Sequence, residues 1–345
     1  MSETSLPAAP VPDIRRLVVP TPFPVGPVNC YVLLGSPLVL VDTGPSTPSA
    51  REALERGLAG LGLGFPDIEA IWLTHPHIDH YGLADEVARL SGAPVVAHTE
   101  AVPRLAGKLH QGKAGEKEAL EGLLVQTGAP EAFGRDLLRQ WASTDRLAAT
   151  VKADKTLEDG DLVTGGGVVW RAISTPGHSP GSLCYYDPGS RCLLSGDHLL
   201  PHISSNAIME FTEAGPGAGA APRLVRVRSL EIYIRALRKI EALDVREVFP
   251  GHGEPFTGHR ELIARRMRHY ERRKDAIAKV LREKGPSTAF GLARALFPKQ
   301  DQSIGQFLAL SEVLGHLDLL ETDGRVECRH GEGDRRSDTF SDRRS

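Results

Sequence analysis

The sequence predicts an α/β protein in which two sheets pack face to face with helices outside, followed by a smaller helical module. Three observations carry this expectation. Short β-branched runs bounded by Gly or Pro fall into two groups, each leading into helical periodicity. Between Thr99 and Lys155 the chain has helical character and little strand signal. After residue 258 the pattern changes to three helical stretches and a turn. At 345 residues the chain exceeds the usual size of one domain, so one large and one small domain are expected.

In chain order, Leu17–Val19, Cys30–Leu34 and Leu38–Val41 read as strands, Pro48–Leu61 as a helix and Ala70–Thr74 as a further strand. The 99–155 segment is too long for a simple loop and reads as a helical insertion that lids a site or covers a sheet edge. A second alternation opens near Thr156. It continues through the strand Val168–Ser174 and a hairpin, Leu183–Tyr186 with Cys192–Ser195, turned by Asp187-Pro188-Gly189-Ser190. A helix near Leu224–Leu243 then feeds the strand Glu247–Phe249. Beyond residue 258, Ile263, Met267, Tyr270, Ile277 and Leu281 form the stripe of an amphipathic helix. Ser287 is placed to cap a second helix through Phe297, and a third spans Ile304–Leu320. Asp323-Gly324 reads as a hairpin turn between Leu319–Glu321 and Arg325–Cys328, and three helices with a hairpin make a winged-helix pattern. Residues 1–13 read as a flexible N-terminus and 331–345 as a polar, disordered tail.

Hydrophobic residues make up 41% and charged residues 25%, a balance able to bury a core. The net charge of −3 excludes a chain-wide field for nucleic acid or anionic membrane, so any such role needs a local patch. No apolar stretch is long enough to span a bilayer, and Met1–Pro12 lacks the basic and apolar regions of a signal peptide. Cys30, Cys184, Cys192 and Cys328 have no zinc-finger or CxxC spacing and are expected to be free thiols in a reducing compartment, the cytoplasm.

The strongest chemical signal is Thr74-His75-Pro76-His77-Ile78-Asp79-His80, at the end of an apolar strand. In extended chain, residues two apart point the same way, so His75 and His77 can face one metal. A turn then lets Asp79 and His80 reach a second position. Neutral imidazole and carboxylate suit zinc, iron or manganese. Further candidate ligands follow later strands: His178 in Pro176-Gly177-His178, Asp197 in Ser195-Gly196-Asp197, and His252 in Gly251-His252-Gly253.

This ordered set resembles the metallo-β-lactamase superfamily over residues 14–258, and Val41-Asp42-Thr43-Gly44 matches that family's early strand-end motif. The resemblance implies an αββα metallo-β-lactamase sandwich as catalytic domain, followed by a small winged-helix domain over 259–330. It implies two divalent metal ions, with zinc expected and iron or manganese suited to the same ligands. His75, His77 and His178 would bind one, Asp79, His80 and His252 the other, with Asp197 bridging. Asp42 would hydrogen-bond the metal loop or merely stabilise a turn. Two such ions share a water and lower its pKa toward neutrality. The expected reaction is therefore hydrolysis by a metal-bridging hydroxide, with Asp79 and Asp197 as catalytic residues. Position 197 is Asp where the commonest zinc β-lactamases carry Cys, so antibiotic hydrolysis is not expected. The ligand pattern is closer to glyoxalase II, lactonases and RNA-cleaving members, and the C-terminal segment resembles the β-lactamase-like protein 2 group. His202, Ser205 and Asn206, with His198, are the candidates for lining a substrate pocket, and His98 and His110 are read as structural or surface residues.

Three functions follow. The first is hydrolysis of a small-molecule thioester, ester or lactone, with the winged helix docking or forming a homodimer. The second is an endoribonuclease gripping single-stranded RNA with Arg265, Arg266, Arg268, Arg272, Arg273 and Lys274. The third is a non-catalytic DNA-binding regulator. The 304–320 helix carries Glu312 and Asp318 and no Lys or Arg, which disfavours groove binding. No RNA-binding motif is present, so the small-molecule acyl substrate leads.

Overall fold

A computed structural model describes residues 11–107, 115–214, 223–331 and 337–343. The first sheet runs β1 (Asp13–Val19), β2 (Val28–Leu34), β3 (Val39–Val41), β4 (Ala70–Trp72), β5 (Val95–His98) and β6 (Lys155–Leu157) in spatial as well as chain order. Its first three strands are antiparallel and the rest parallel. The second sheet has the order β13-β10-β9-β8-β7, from β7 (Leu162–Gly165), β8 (Val168–Ser174), β9 (Leu183–Asp187), β10 (Cys192–Gly196) and β13 (Glu247–Pro250). A small ribbon, β11 (Phe211–Ala214) with β12 (Arg223–Arg226), stands between β10 and β13 in the chain.

Period-two alternation explains why the sheets stack. On β2, Tyr31 and Leu33 face the inter-sheet core while Cys30 and Val32 face outward. On β8, Trp170 and Ala172 face inward and Ile173 outward. Trp72 stacks on Tyr185 of the opposite sheet, with centroids 4.9 Å apart, and meets Trp170 edge-on. Helices cover both outer faces. Helix α1 (Pro48–Ala59), capped by Thr47, and α3 (Ala84–Ser91) pack on the first sheet; a single turn, α2 (Ile78–Tyr81), lies between them in the chain. Helix α7 (Ser229–Glu241) and the first half of α8 (His259–Lys284) pack on the second. The layers are those of an αββα sandwich.

A second core lies outside the sandwich. After the short α4 (Val102–Leu105), helices α5 (Glu116–Gln126) and α6 (Glu131–Thr144) of the insertion contribute Leu120, Leu124, Phe133 and Leu137. The end of α8, α9 (Ala289–Leu296) and α10 (Ser303–Thr322) contribute Ile277, Leu292, Leu310 and Leu314 to the same cluster. Segments more than a hundred residues apart thus share one apolar interior, and neither would bury its apolar face without the other.

Four local expectations are corrected. There is no hairpin at Asp323-Gly324: α10 continues to Thr322, because Leu314, Leu317 and Leu320 keep its apolar face inside the second core. Gly324, at φ 66°, follows the helix, and β14 (Val326–Arg329) pairs instead with β15 (Thr339–Asp342). The tail is therefore not disordered throughout. Phe340 brings an aromatic ring into the second core, and Arg282 donates to Asp342 at 2.9 Å. The α9 cap is Thr288, which accepts from Gly291 N, while Ser287 bridges to Phe340. Asp13, assigned to the flexible N-terminus, opens β1 opposite Leu34; residues 1–10 lie outside the described residues.

The three buried cysteines and the half-buried Cys328 are free thiols, and no described helix is long and apolar enough to cross a membrane. If Phe340 anchors the tail as described, Phe340→Ala should cost about 3 kcal/mol of stability, read by denaturant unfolding. A cost under about 0.5 kcal/mol, the range of ordinary surface changes, would show that β15 is not docked.

Candidate metal centre

The loop after β4 delivers His75 and His77 in extended chain, and α2 then turns Asp79 and His80 beside them. His178 stands in the loop after β8, Asp197 directly after β10, and His252 two residues after β13. Three sets of side chains bring their ligand atoms within 4.8 Å of one another: His75, His77 and His178; His75, His80 and Asp197; and Asp79, His80 and His252. All seven candidate ligands singled out in the sequence thus lie together. Asp197 lies between the groups. Its Oδ1 is 3.4 Å from His80 Nε2, and its Oδ2 is 3.6 Å from His178 Nε2 and 3.7 Å from His252 Nε2.

Backbone and side-chain partners fix which ring nitrogen faces the centre. His80 Nδ1 donates to Asp42 at 2.7 Å, His178 Nδ1 to the Asn206 carbonyl at 2.9 Å, and His252 Nδ1 to the Pro27 carbonyl at 2.7 Å. The inward Nε2 atoms of these three histidines, and Oδ1 of Asp197, are buried without a hydrogen-bond partner. Orphaned buried atoms of that kind are costly unless a cation meets them. Ligand atoms at about 2.0–2.2 Å from one tetrahedral ion lie roughly 3.3 Å from each other, close to the 3.3 Å between His252 Nε2 and Asp79 Oδ2. The donor set fits divalent metal ions.

The electrostatics agree. Burial, reinforced by neighbouring histidines, pushes His75 and His77 well below the usual imidazole range, and burial also lowers His178. Neutral imidazole is the ligating form. Burial opposes charge on His80 too, but Asp197, Asp42 and Asp79 together raise it. Burial likewise works against ionised Asp197 and Asp79, yet facing histidines hold both carboxyls below their ordinary value. The centre therefore keeps its carboxylates ionised and draws positive charge.

Asp42 is more than a turn residue. At φ 59° its carboxylate accepts Thr74 N at 2.8 Å and Thr74 Oγ1 at 2.7 Å besides His80 Nδ1. Thr74 Oγ1, having donated, can accept from His75 Nδ1 at 3.0 Å, which turns His75 Nε2 to within 3.0 Å of His77 Nδ1. Other supports were not singled out in the sequence. Asn29 donates to the carbonyls of Pro250 and Gly253, and Tyr31 to Pro250, so β2 holds the His252 loop. At Gly251 a Cβ would stand 2.3 Å from Asp197 Oδ1, so only glycine fits behind that carboxylate. The cue was present in Gly251-His252-Gly253, but the requirement depends on a strand more than fifty residues away.

A profile of the metallo-β-lactamase superfamily matches residues 23–252, a span that includes all seven of these residues. The chain belongs to the metallo-β-lactamase superfamily. It is 35% identical to the probable metallo-hydrolase YqjP of Bacillus subtilis, over 91% of this chain and 94% of that protein. A β-lactamase-like protein 2 homolog of Caenorhabditis elegans is 25% identical over 91% of this chain and 85% of its own length. An atrochrysone carboxyl ACP thioesterase of Aspergillus fumigatus is 23% identical over 78% of this chain and 68% of its own. Among solved structures, metallo-β-lactamase family protein TTHA1429 from Thermus thermophilus superposes with a TM-score of 0.75 at 30% identity, covering 96% of this chain and 98% of that one. The chain is a metallo-β-lactamase superfamily hydrolase with a metal-binding His/Asp cluster.

Next to the cluster opens a cavity of about 840 Å³, lined at one end by His77, Asp79, His178 and Asp197. Ser205 and Asn206 line it, as the sequence suggested. His202 does not; it is exposed, because Arg265 and Arg266 hold the carbonyls of Leu200, Pro201 and Ile203 and lead the chain over the surface there. His198 is buried against Tyr233, where burial lowers it to about 3, and it does not line the cavity. His98 caps the turn at Glu100; His110 and the glycine-rich run Gly215–Gly219 lie outside the described residues. Asn tolerates positive φ nearly as well as Asp, so Asp42→Asn isolates the charge and acceptor function. It should weaken metal binding about 10–100-fold in chelator competition; unchanged affinity would reduce Asp42 to a turn residue.

Proposed function

We propose that this chain is a binuclear metal-dependent hydrolase of small-molecule thioesters, esters or lactones. The observation that carries the reading is the position of Asp197, between two groups of inward-facing imidazoles at one end of a largely apolar cavity. His75, His77 and His178 would hold one ion and Asp79, His80 and His252 the other, with zinc expected and iron or manganese suited to the same donors. Bound there, the ions would supply Lewis acidity and a water acidified toward neutrality. The chain's own residues do the rest. Asp79 and Asp197, both ionised and both in the cavity wall, orient the attacking water and accept its proton. His178 and Asp197 sit where the scissile carbonyl enters, and Asn206 fixes His178 from behind. The thioesterase named among the relatives supports an acyl substrate.

The nucleic-acid readings find less support. Of the basic cluster on α8, Arg265 and Arg266 bind backbone carbonyls, Arg273 pairs with Glu312 at 2.8 Å, and Lys274 pairs with Glu271 and Asp323 at 2.8 Å. Arg268 and Arg272 remain as exposed cations without a partner among the described residues. A helix that reads DNA must be exposed, whereas α10 buries Phe307, Leu310, Val313, Leu314 and Leu317 and even Asp318, which Arg226 grips from both sides of its carboxylate. We read the three helices after residue 258 as a winged-helix-like module whose last helix, α10, walls the cavity.

Asp197→Ala and His178→Ala should retain the wild-type circular-dichroism spectrum while lowering kcat/KM for acyl thioesters or lactones by roughly 10³-fold or more. Turnover close to wild type in the metal-loaded variants would remove these residues from the reaction. Metal-dependent cleavage of single-stranded RNA without acyl hydrolysis would replace the reading with the ribonuclease one.

A further inference from the structure

We propose that the cavity leading from the metal centre between the insertion helices and α10 holds the acyl part of the substrate, and that the enzyme therefore selects substrates with a medium or long apolar acyl chain. The inference rests on the hydrolase reading above and adds the substrate class to it.

Continuity is the first argument. The same cavity that exposes His77, Asp79, His178 and Asp197 is walled by Leu120, Leu138, Trp141, Ile304, Phe307 and Leu308. A scissile carbonyl at the ligands thus leaves its substituent facing apolar side chains rather than solvent. Capacity is the second. Sites for drug-sized ligands run from about 300 to 1,000 Å³, and this one encloses about 840 Å³. An acetyl group would leave most of it unfilled.

The charges in the wall make the third argument. Arg104 lies between Glu116 at 3.2 Å and Glu210 at 2.6 Å, and Glu312 is met by Arg273. These pairs leave both arginines engaged, and with Lys117, Lys299 and Asp301 also in the wall its carboxylates still outnumber its cations, so the lining does not attract a polyanion. The apolar surface left between them is favourable only to a chain that gains by leaving water. Finally, the walls are pre-formed. Trp141 on α6 meets Phe307 on α10 edge-on with centroids 4.9 Å apart, within or against the second core. A rigid apolar slot loses less entropy on binding than a loop that must first order.

The chemistry needs no new co-reactant: water adds across the acyl C–S or C–O bond, giving a carboxylic acid and a thiol or alcohol. Burying each methylene should raise kcat/KM about fourfold. The test uses the full-length, metal-loaded protein and N-acetylcysteamine thioesters of acetyl, hexanoyl and decanoyl groups. The hexanoyl thioester, with four more methylenes, should exceed the acetyl one by roughly 250-fold, and decanoyl should not fall below hexanoyl. Leu138→Phe and Ile208→Phe, in two different parts of the wall, should each lower the decanoyl-to-acetyl ratio at least about tenfold. Equal rates for all three lengths, or a preference for acetyl, would overturn the proposal and leave the hydrolase reading standing.

If none of the three thioesters were turned over, the thioester part of the hydrolase reading would fall and binding would still decide the cavity. Of the three tryptophans, Trp72 and Trp170 are fully buried between the sheets and Trp141 lines the cavity. The non-hydrolysable S-decyl thioether of N-acetylcysteamine should therefore shift tryptophan emission saturably, and the shift should vanish in Trp141→Phe. Absence of saturable binding by the thioether would contradict the proposal independently of turnover.

Discussion

Asp42 directly follows β3 in a left-handed backbone conformation and accepts three hydrogen bonds at once, from Thr74 N, Thr74 Oγ1 and His80 Nδ1. On these bonds the aim of the HxHxDH segment depends. They pin Thr74, two residues past the end of β4, to the end of the neighbouring β3, fix the tautomer of His80 and, through Thr74 Oγ1, that of His75. A carboxylate serving three donors in a buried place is held firmly, because each donor would otherwise lose its partner out of water. The later ligands are aimed by backbone carbonyls in the same manner, Asn206 for His178 and Pro27 for His252. The sandwich thus supplies direction, and the ligand atoms are left with lone pairs pointed at a common space.

Around that centre the molecule builds a substrate space from parts distant in the chain. The insertion helices α5 and α6 and the C-terminal helices α8 to α10 bury their apolar faces in each other. Their junction lies over the ligand end of the sandwich, so the packing that stabilises these helices also forms the cavity. Stability and specificity are coupled here: a change that loosens the second core also reshapes the wall. Gly251 shows the same economy at smaller scale, since the absence of a Cβ is what allows the chain leaving β13 to pass behind Asp197.

The metal site was legible because its signals are local. Five of the relevant residues fall within Thr74–His80, and the other three ligands each follow an apolar run with Gly or Pro beside them. The sandwich was legible for the same reason, as period-two alternation within single strands. What escaped the sequence is non-local. Phe340 is a lone aromatic ring in a polar tail, and nothing near it announces that β14 will be its strand partner. The hairpin expected at Asp323-Gly324 failed because a turn signal says nothing of the core that keeps α10 helical up to it. His202 looked like a pocket residue by position, but Arg265 and Arg266, some sixty residues onward, decide where that loop runs. The apolar walls were present as unremarked Leu, Ile and Phe positions on separate helices.

The central claim is that seven side chains form one centre for two divalent ions, and anomalous diffraction from crystals of the metal-loaded protein tests it most directly. The account predicts two anomalous peaks about 3.5–4 Å apart, one against His75, His77 and His178, the other against Asp79, His80 and His252, with Asp197 reaching both. A single peak at one triad, or none among these residues in crystals soaked with saturating zinc, manganese or iron, would contradict it.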